Sequence, residues 1–315
     1  VQGGTPSLVP KRRVRELRSL AREPALREQQ GLAVLEGVRL VSEVLERGAR
    51  VPEVYLSPEL YSAFANPTRG SHGLSIEAGK LAQVLFSRGS MPAGGLDPSF
   101  YRDPSLDQGA SRVPMVFQLD ADSIQRIATS QHPQGALALV SVPSNQELPQ
   151  GIDFALGVHG VQDPGNLGTI ARSAAAFGAG LLVVSNCADW RHPRALRASA
   201  GSLVSLPVVR EDDPGALQGL FCRLREAGFK LLGAVAHGGR SLADFDLSNP
   251  LVVFLGSEAF GLPDWMLGQM NDLVTIETSG SVESLNVAMA ATVLCFEVFE
   301  KRSRKAAQAM AKAAS

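Results

Sequence analysis

From Ile152 onward the chain alternates short, almost wholly apolar runs with longer stretches of helical character, and no other feature constrains its fold as tightly. The runs are Phe154–Val158, Leu181–Val184, Leu206–Val209, Leu231–Ala236 and Leu251–Gly256, rich in valine and leucine. Apolar runs of that length read as strands buried on both faces. Between them, helices are expected over 168–178, 193–201 and 214–227. A strand–helix alternation of this kind implies a largely parallel sheet with helices on both faces. Ligands in such sheets gather where the strands deliver their carboxyl ends, so the loops after the strands are where chemistry is expected. A further apolar run, Leu273–Ile276, leads through turn residues to a long helix beginning at Ser284, with small residues at Ala288, Ala290 and Ala291.

At 315 residues the chain has room for about two domains. Apolar residues make up 45% and charged residues 19%, the balance of an ordinary globular protein. No apolar run approaches the roughly 18 residues that a membrane helix needs, so no membrane span is expected. Cys187, Cys222 and Cys295 are far apart and odd in number, which fits neither a disulfide framework nor a metal knuckle. The five histidines show no paired spacing, and no metal centre is expected. A net charge of -1 argues against indiscriminate nucleic-acid binding. Positive charge is nevertheless concentrated at Lys11, Arg12, Arg13, Arg15, Arg18, Arg22 and Arg27, and again at Lys301, Arg302, Arg304 and Lys305. Such runs are either solvated helix faces or phosphate contacts. The first residue is Val, compatible with a longer precursor, and Val1–Pro10 lacks the apolar core of a secretory signal. The expected location is intracellular: cytoplasmic in a bacterium, mitochondrial or plastid for a processed eukaryotic protein.

The first 145 residues read as a smaller mixed α/β domain. A basic helix spans 11–29 with an interruption near Pro24, followed by a strand over Gly31–Gly37 and an amphipathic helix over Val38–Arg47. Strands are expected at Val51–Leu56, Met115–Leu119 and Ala136–Val140, with a helix over Ile76–Phe86. Residues 66–73 and 87–112 are rich in Gly, Pro, Ser and Asp, and the second stretch is expected to be a disordered insert. A proline-flanked polar linker ends at Gly151, so the expected domains are 1–145 and 151–315.

Three blocks fall in register in the second half. The first is Asp163, Pro164, Asn166, Gly168, Arg172, Ala174, Phe177, Gly178 and Ala179; the second is Gly256, Glu258, Gly261 and Leu262; the third is Ser284-Leu285-Asn286-Val287. Together they resemble the signature motifs of the SpoU (TrmH-like) branch of the SPOUT RNA methyltransferases, over roughly residues 8 to 300. Arg197-Ala-Ser-Ala-Gly201 resembles a further family block. Glu36-Gly37-Val38-Arg39-Leu40 and Pro133-Gln134-Gly135 resemble the family's N-terminal substrate-binding domain, related to the L30e/L7Ae RNA-binding fold. The resemblance implies a C-terminal SPOUT domain, a parallel α/β sheet with a deep trefoil knot, that binds S-adenosylmethionine without a metal. It also implies a homodimer formed through that domain, and an RNA substrate, ribosomal RNA ahead of tRNA, met free or within pre-ribosomal particles.

Methyl transfer to a ribose 2′-hydroxyl needs alignment of donor and oxygen, worth up to about 7–11 kcal/mol, and a way to stabilise loss of the hydroxyl proton. Resemblance assigns the catalytic polar set to Asn166, Arg172, Glu258, Ser284 and Asn286, with Glu258 fixing Asn166 or Arg172. It assigns donor binding to Leu255, Gly256, Ser257, Gly261, Ile276, Thr278, Gly280, Ser284, Leu285 and Asn286, largely through backbone groups. Arg12, Arg13, Arg39, Arg194 and Arg197 are the expected RNA contacts, with Arg191 and His192 extending the patch. Read without the resemblance, Asp163-Pro164 is a turn and helix entry, Arg172 a surface cation, Glu258 an acceptor for loop N–H groups, and Ser284 an N-cap. Where the family usually has an Ile-Pro pair, this chain has Ile276-Glu277, which puts a charge at the pocket rim. A catalytically idle RNA-binding scaffold and a tRNA methyltransferase stay open as alternatives. A dinucleotide fold, a P-loop enzyme and an α/β hydrolase lack their Gly-x-Gly-x-x-Gly, Gly-x-x-x-x-Gly-Lys and Gly-x-Ser-x-Gly motifs.

Overall fold

The computed structural model describes residues 9–65, 76–92, 113–142, 144, 147–247, 249–280 and 283–313. It divides into two compact units: Val1–Pro143 with Arg191–Ser205, and Ser144–Trp190 with Leu206–Ser315.

The first unit opens with α1 (Lys11–Arg22) and α2 (Pro24–Gln30), broken at Pro24 as the sequence suggests. Next come β1 (Leu32–Glu36), α3 (Val38–Glu46), β2 (Glu53–Leu56), α4 (Pro58–Ala65), α5 (Ile76–Ser87), β3 (Met91–Pro92), β4 (Met115–Gln118), α6 (Ala121–Ile127) and β5 (Ala136–Ser141). The strands form a mixed sheet in the order β1-β5-β2-β4-β3, with β5 antiparallel to both its neighbours. Its core holds Leu17, Leu20, Val34, Leu137 and Leu139 around Tyr55, which stacks on Phe117 at 5.3 Å between ring centroids. Of the expected insert, residues 87–92 instead finish α5 and form β3; residues 93–112, and the whole of 66–73, lie outside the described residues.

The second unit contains β6 (Phe154–His159), α7 (Pro164–Ala176) and β7 (Leu181–Ser185). The chain then leaves it to contribute α8 (Pro193–Ala198) and α9 (Ser202–Ser205) to the first unit. It returns as β8 (Val208–Arg210), α10 (Pro214–Glu226), β9 (Lys230–Ala234), β10 (Leu251–Leu255), α11 (Asp264–Leu267), β11 (Asp272–Val274) and α12 (Val287–Ala313). Residues 193–201, expected with 151–315, pack against β1 and α3.

The strands of this unit form the expected parallel sheet, ordered β11-β9-β10-β6-β7-β8. Both faces are apolar because both are covered; Phe221 of α10 meets Phe254 edge-on at 5.1 Å. Gly157 accommodates that ring, since a Cβ there would lie 2.1 Å from a Phe254 ring carbon. The progression β6-β7-β8 grows to one side and β10-β9-β11 to the other, so the strand order reverses between β6 and β10. A crevice beyond the carboxyl ends of strands at such a reversal is the usual ligand position in an open α/β sheet. Among the described residues no helix is long and apolar enough to cross a membrane.

Candidate active site

The first block forms the junction of β6 and α7. Asp163 caps α7, its carboxylate accepting from the amides of Gly165 and, at 3.2 Å, Asn166. Pro164 occupies the first helical position, where its missing N–H costs nothing. The turn-and-entry reading of Asp163-Pro164 thus holds, and it sets where Asn166 points. Asn166 Nδ2 donates to Glu258 Oε1 at 2.6 Å, joining segments 92 residues apart. An exposed bond of this kind adds little stability; what it does is fix the orientation of both side chains.

Glu258 sits in a turn after β10 whose base is closed tightly. The Gly261 amide donates to the Ser257 carbonyl at 2.9 Å, and the Phe260 amide to Ser257 Oγ at 3.3 Å. Gly256 has no room for a side chain, because a Cβ would fall 1.9 Å from the carbonyl carbon of Gly261. Opposite it, Ser257 Cβ lies 3.3 Å from where a Cβ on Gly160 would be, so the loops after β6 and β10 abut.

The third block corrects one expectation. The long helix starts at Val287 rather than Ser284. Asn286 is its cap: Oδ1 accepts from the amides of Ala288 at 2.9 Å and Met289 at 3.4 Å. Asparagine is a poor helix former but a preferred cap, which accounts for its place here. Ser284 and Leu285 precede the cap in the loop, with Ser284 exposed.

Helices α7 and α12 pack along each other. Ser173 Oγ and Thr292 Oγ1 are 2.7 Å apart, and one turn further along both helices Phe177 meets Phe296 at 5.7 Å. The offset is the same in both pairs, so the helices run parallel. The sequence separation of 119 residues at Ser173 and Thr292 puts Asn286 level with Leu167, in the first turn of α7. Asn166, Glu258 and Asn286 therefore gather at the carboxyl end of the sheet. Arg172, exposed on α7, has neither an ion pair nor a hydrogen bond among the described residues.

The loop after β11 completes this end. Thr275 ties it to the loop after β9, its amide donating to the Arg240 carbonyl at 3.0 Å and its Oγ1 accepting from Gly239 N at 2.9 Å. Beyond it, Thr278 Oγ1 accepts from Gly280 N at 3.4 Å. Gly256, Ile276 and Glu277 enter no main-chain hydrogen bond among the described residues. Gly256 is moreover buried. Buried main-chain groups are nearly always paired, so unpaired ones beside Leu255 and Ile276 suit a ligand rich in hydrogen-bonding edges, such as an adenine ring. Among the described residues no cluster of His, Cys, Asp or Glu is arranged to hold a metal.

A cavity of about 450 Å³ opens at the other end of the sheet, by Lys230, Phe245, Leu251 and Asn271 at the amino ends of β9 and β10. None of the expected site residues lines it, and the polar geometry outweighs its volume as a guide to the chemistry.

The five arginines expected to meet RNA fare differently. Arg12 is exposed and pairs, among the described residues, with Glu16 of its own helix at 3.0 Å, and exposed Arg39 pairs similarly with Glu43 at 2.9 Å. Arg194 is exposed. Arg13 is buried instead, bonded to Tyr55 at 3.1 Å, Glu16 at 3.1 Å and Glu53 at 2.6 Å. Burial disfavours its charge, but Tyr55 and Glu53 outweigh that and raise its pKa. Arg197 pairs with buried Glu36 at 3.3 Å. Arg191, expected to extend the patch, is buried with its Nε on the Val142 carbonyl at 2.7 Å, and His192 caps α8. Sequence spacing places arginines on a helix face; it does not reveal acceptors far away along the chain.

Residues 153–296 match the SpoU rRNA methylase family and residues 11–88 the MRM3-like substrate binding domain. A 23S rRNA (uridine(2479)-2'-O)-methyltransferase of Streptomyces viridochromogenes is 38% identical over 177 residues, 54% of this chain and 61% of that one. The chain thus spans less than two thirds of that relative's length. The 23S rRNA (guanosine(2553)-2'-O)-methyltransferase RlmP of Bacillus subtilis is 29% identical over 58% of this chain and 71% of its own. The crystal structure of the SpoU methyltransferase AviRb from Streptomyces viridochromogenes, in complex with AdoMet, superposes with a TM-score of 0.71 at 27% identity, covering 93% of this chain and 98% of that one. With two family matches in the order of the two sheets, and a shared fold over nearly its whole length, the chain carries a SpoU rRNA methylase domain at residues 153–296 preceded by an MRM3-like substrate binding domain.

Proposed function

We propose that this protein transfers the methyl group of S-adenosylmethionine to a ribose 2′-hydroxyl of ribosomal RNA. The observation that carries the reading is the Asn166–Glu258 bond at the carboxyl end of β6 and β10, with capping Asn286 at the same end and Arg172 left unpaired among the described residues. Relatives named as 23S rRNA 2′-O-methyltransferases and a structural neighbour solved with AdoMet support both substrate and donor.

The donor supplies an electrophilic methyl group. Leu255, Gly256, Ser257, Gly261, Ile276, Thr278, Gly280 and the Ser284–Asn286 stretch would hold it, chiefly through the unpaired main-chain groups of the loops after β10 and β11. Glu258 keeps Asn166 oriented towards the reacting groups. Guanidinium groups do not release a proton near neutrality, so Arg172 acts by orienting the 2′-hydroxyl and stabilising its developing negative charge. The hydroxyl proton leaves to an oxygen of the adjoining RNA phosphate. Ser284 lines the approach to the methyl donor.

In the first unit, Arg12, Arg39 and Arg194 are the phosphate contacts of this reading. The surface pairs of Arg12 and Arg39 with Glu16 and Glu43 are of the kind worth under about 1 kcal/mol, readily exchanged for phosphate. A homodimer through the second unit, and a trefoil-knotted backbone within it, belong to the same proposal. Phe296 and Phe299 of α12, 50% and 46% exposed beside Phe177, support a subunit contact. The substrate is met as rRNA or as an assembling ribosomal particle, in whichever compartment makes ribosomes. Calorimetric binding of S-adenosylmethionine together with tritiated-methyl transfer to rRNA transcripts tests the reading; donor binding with no transfer to any rRNA would favour an idle scaffold.

A further inference from the structure

The turn that carries Glu258 also carries Phe260, a residue 91% exposed. Nothing in the turn needs an aromatic side chain: the bonds that close it use the amides of Phe260 and Gly261 and both oxygens of Ser257. Turn tips are usually glycine or polar residues, and a phenyl ring held in water forgoes the free energy of burial. Gly256 packs against the backbone of Gly261 and Leu262, so the ring is displayed on a short, braced support. It makes no ring contact among the described residues.

Resting on the function proposed above, we infer that Phe260 is a stacking platform for an unpaired RNA base next to the ribose being methylated. Single-stranded RNA is held by bases splayed onto aromatic faces, a contact that tolerates any base. The ring lies two residues from the carboxylate that orients Asn166, so a base resting on it would sit at the rim of the reacting groups. The donor's adenine is the poorer occupant, because the unpaired main-chain groups that suit it lie at Gly256 and Ile276 rather than at the turn's tip. A second copy of the chain is poorer too, since the exposed Phe296 and Phe299 belong to α12, a different element.

Tritiated-methyl transfer from S-adenosylmethionine to a bacterial 23S rRNA transcript, measured for the wild type and for Phe260→Ala, Phe260→Leu and Phe260→Tyr, tests this. The alanine and leucine variants are expected to raise KM for RNA about tenfold or more, and the tyrosine variant to restore it. Donor Kd and mass in solution should stay at wild-type values in all three. An unchanged KM in Phe260→Ala overturns the stacking role while wild-type turnover leaves the methyltransferase reading standing. A weakened donor Kd, or a lower mass in solution, assigns the ring to the donor or to a subunit contact and overturns it as well. A wild type that neither binds the donor nor methylates RNA removes the functional reading and this inference together.

Discussion

In the proposed reaction Arg172 is the residue on which the chemistry turns, because α7 offers little other polar reach among Ala171, Ala174, Ala175 and Ala176. If it stabilises developing oxyanion charge with a planar two-pronged donor, lysine replaces the charge and not the geometry. Arg172→Lys should keep donor affinity and lose about 100-fold or more in kcat, the scale of removing one oxyanion donor; single-turnover methyl transfer reads this, and full turnover would sink the role. Asn166 and Glu258 make a different kind of claim, that two side chains act as one unit. In a double-mutant cycle with Asn166→Ala and Glu258→Ala, kcat/KM should show a coupling of about 0.5–3 kcal/mol. Strictly additive losses would mean the 2.6 Å bond has no bearing on turnover. Both residues were legible in the sequence because their motifs are local. The resemblance also implied that Glu258 fixes Asn166 or Arg172; which of the two it holds was not legible, since nothing in the pattern measures a distance between residues 92 apart.

At the scale of elements, the proposed site depends on α7 and α12 running parallel so that their N-termini arrive together. Apolar runs closed by glycine or polar residues gave the strands of the parallel sheet, and the alanine-rich run gave α12. The start of α12 was misplaced because Ser284 and Asn286 are both good caps, and spacing alone does not choose between them. The short α4, α6 and α11 were missed for another reason: four- to eight-residue helices show too little periodicity to detect. The Ser173–Thr292 contact that registers α7 on α12 had no sequence signal at all. Since Asn286 Oδ1 takes two amides of the first turn, Asn286→Ala should cost about 1 kcal/mol of stability and Asn286→Asp much less. Thermal unfolding monitored by circular dichroism separates the two. Equal losses in both would show that the amide group does more at this position than cap.

At the scale of the whole molecule, the chain passes between its two units at 143–144, 190–191 and 205–206, and the last two crossings bracket a segment built into the first unit. Gly201 there lies against α3, where a Cβ would fall 2.5 Å from Val44 Cγ2, and Arg47 donates to the Ala200 carbonyl at 3.0 Å across 153 residues of sequence. Such separations explain why 191–205 reads from sequence as part of the later domain. The segment's charged anchor is Glu36. It accepts from Thr129 N at 2.9 Å, Thr129 Oγ1 at 3.2 Å and Ser130 N at 3.3 Å, and from Ser130 Oγ, and it faces Arg197 at 3.3 Å. Burial alone would raise its pKa, but the Ser130 and Thr129 donors and the Arg197 charge outweigh burial and hold it below the usual glutamate value. With the folded pKa lowered, the unfolded chain binds the proton first as pH falls. The stabilisation is therefore complete above the ordinary glutamate pKa of about 4.3 and disappears as pH drops through the lower folded value. Glu36→Gln should weaken amide protection at Thr129 and Ser130 near neutral pH and flatten the acid limb of their hydrogen exchange. Protection that matches the wild type at both pH values would mean that the segment is held by its apolar contacts, with the carboxylate incidental.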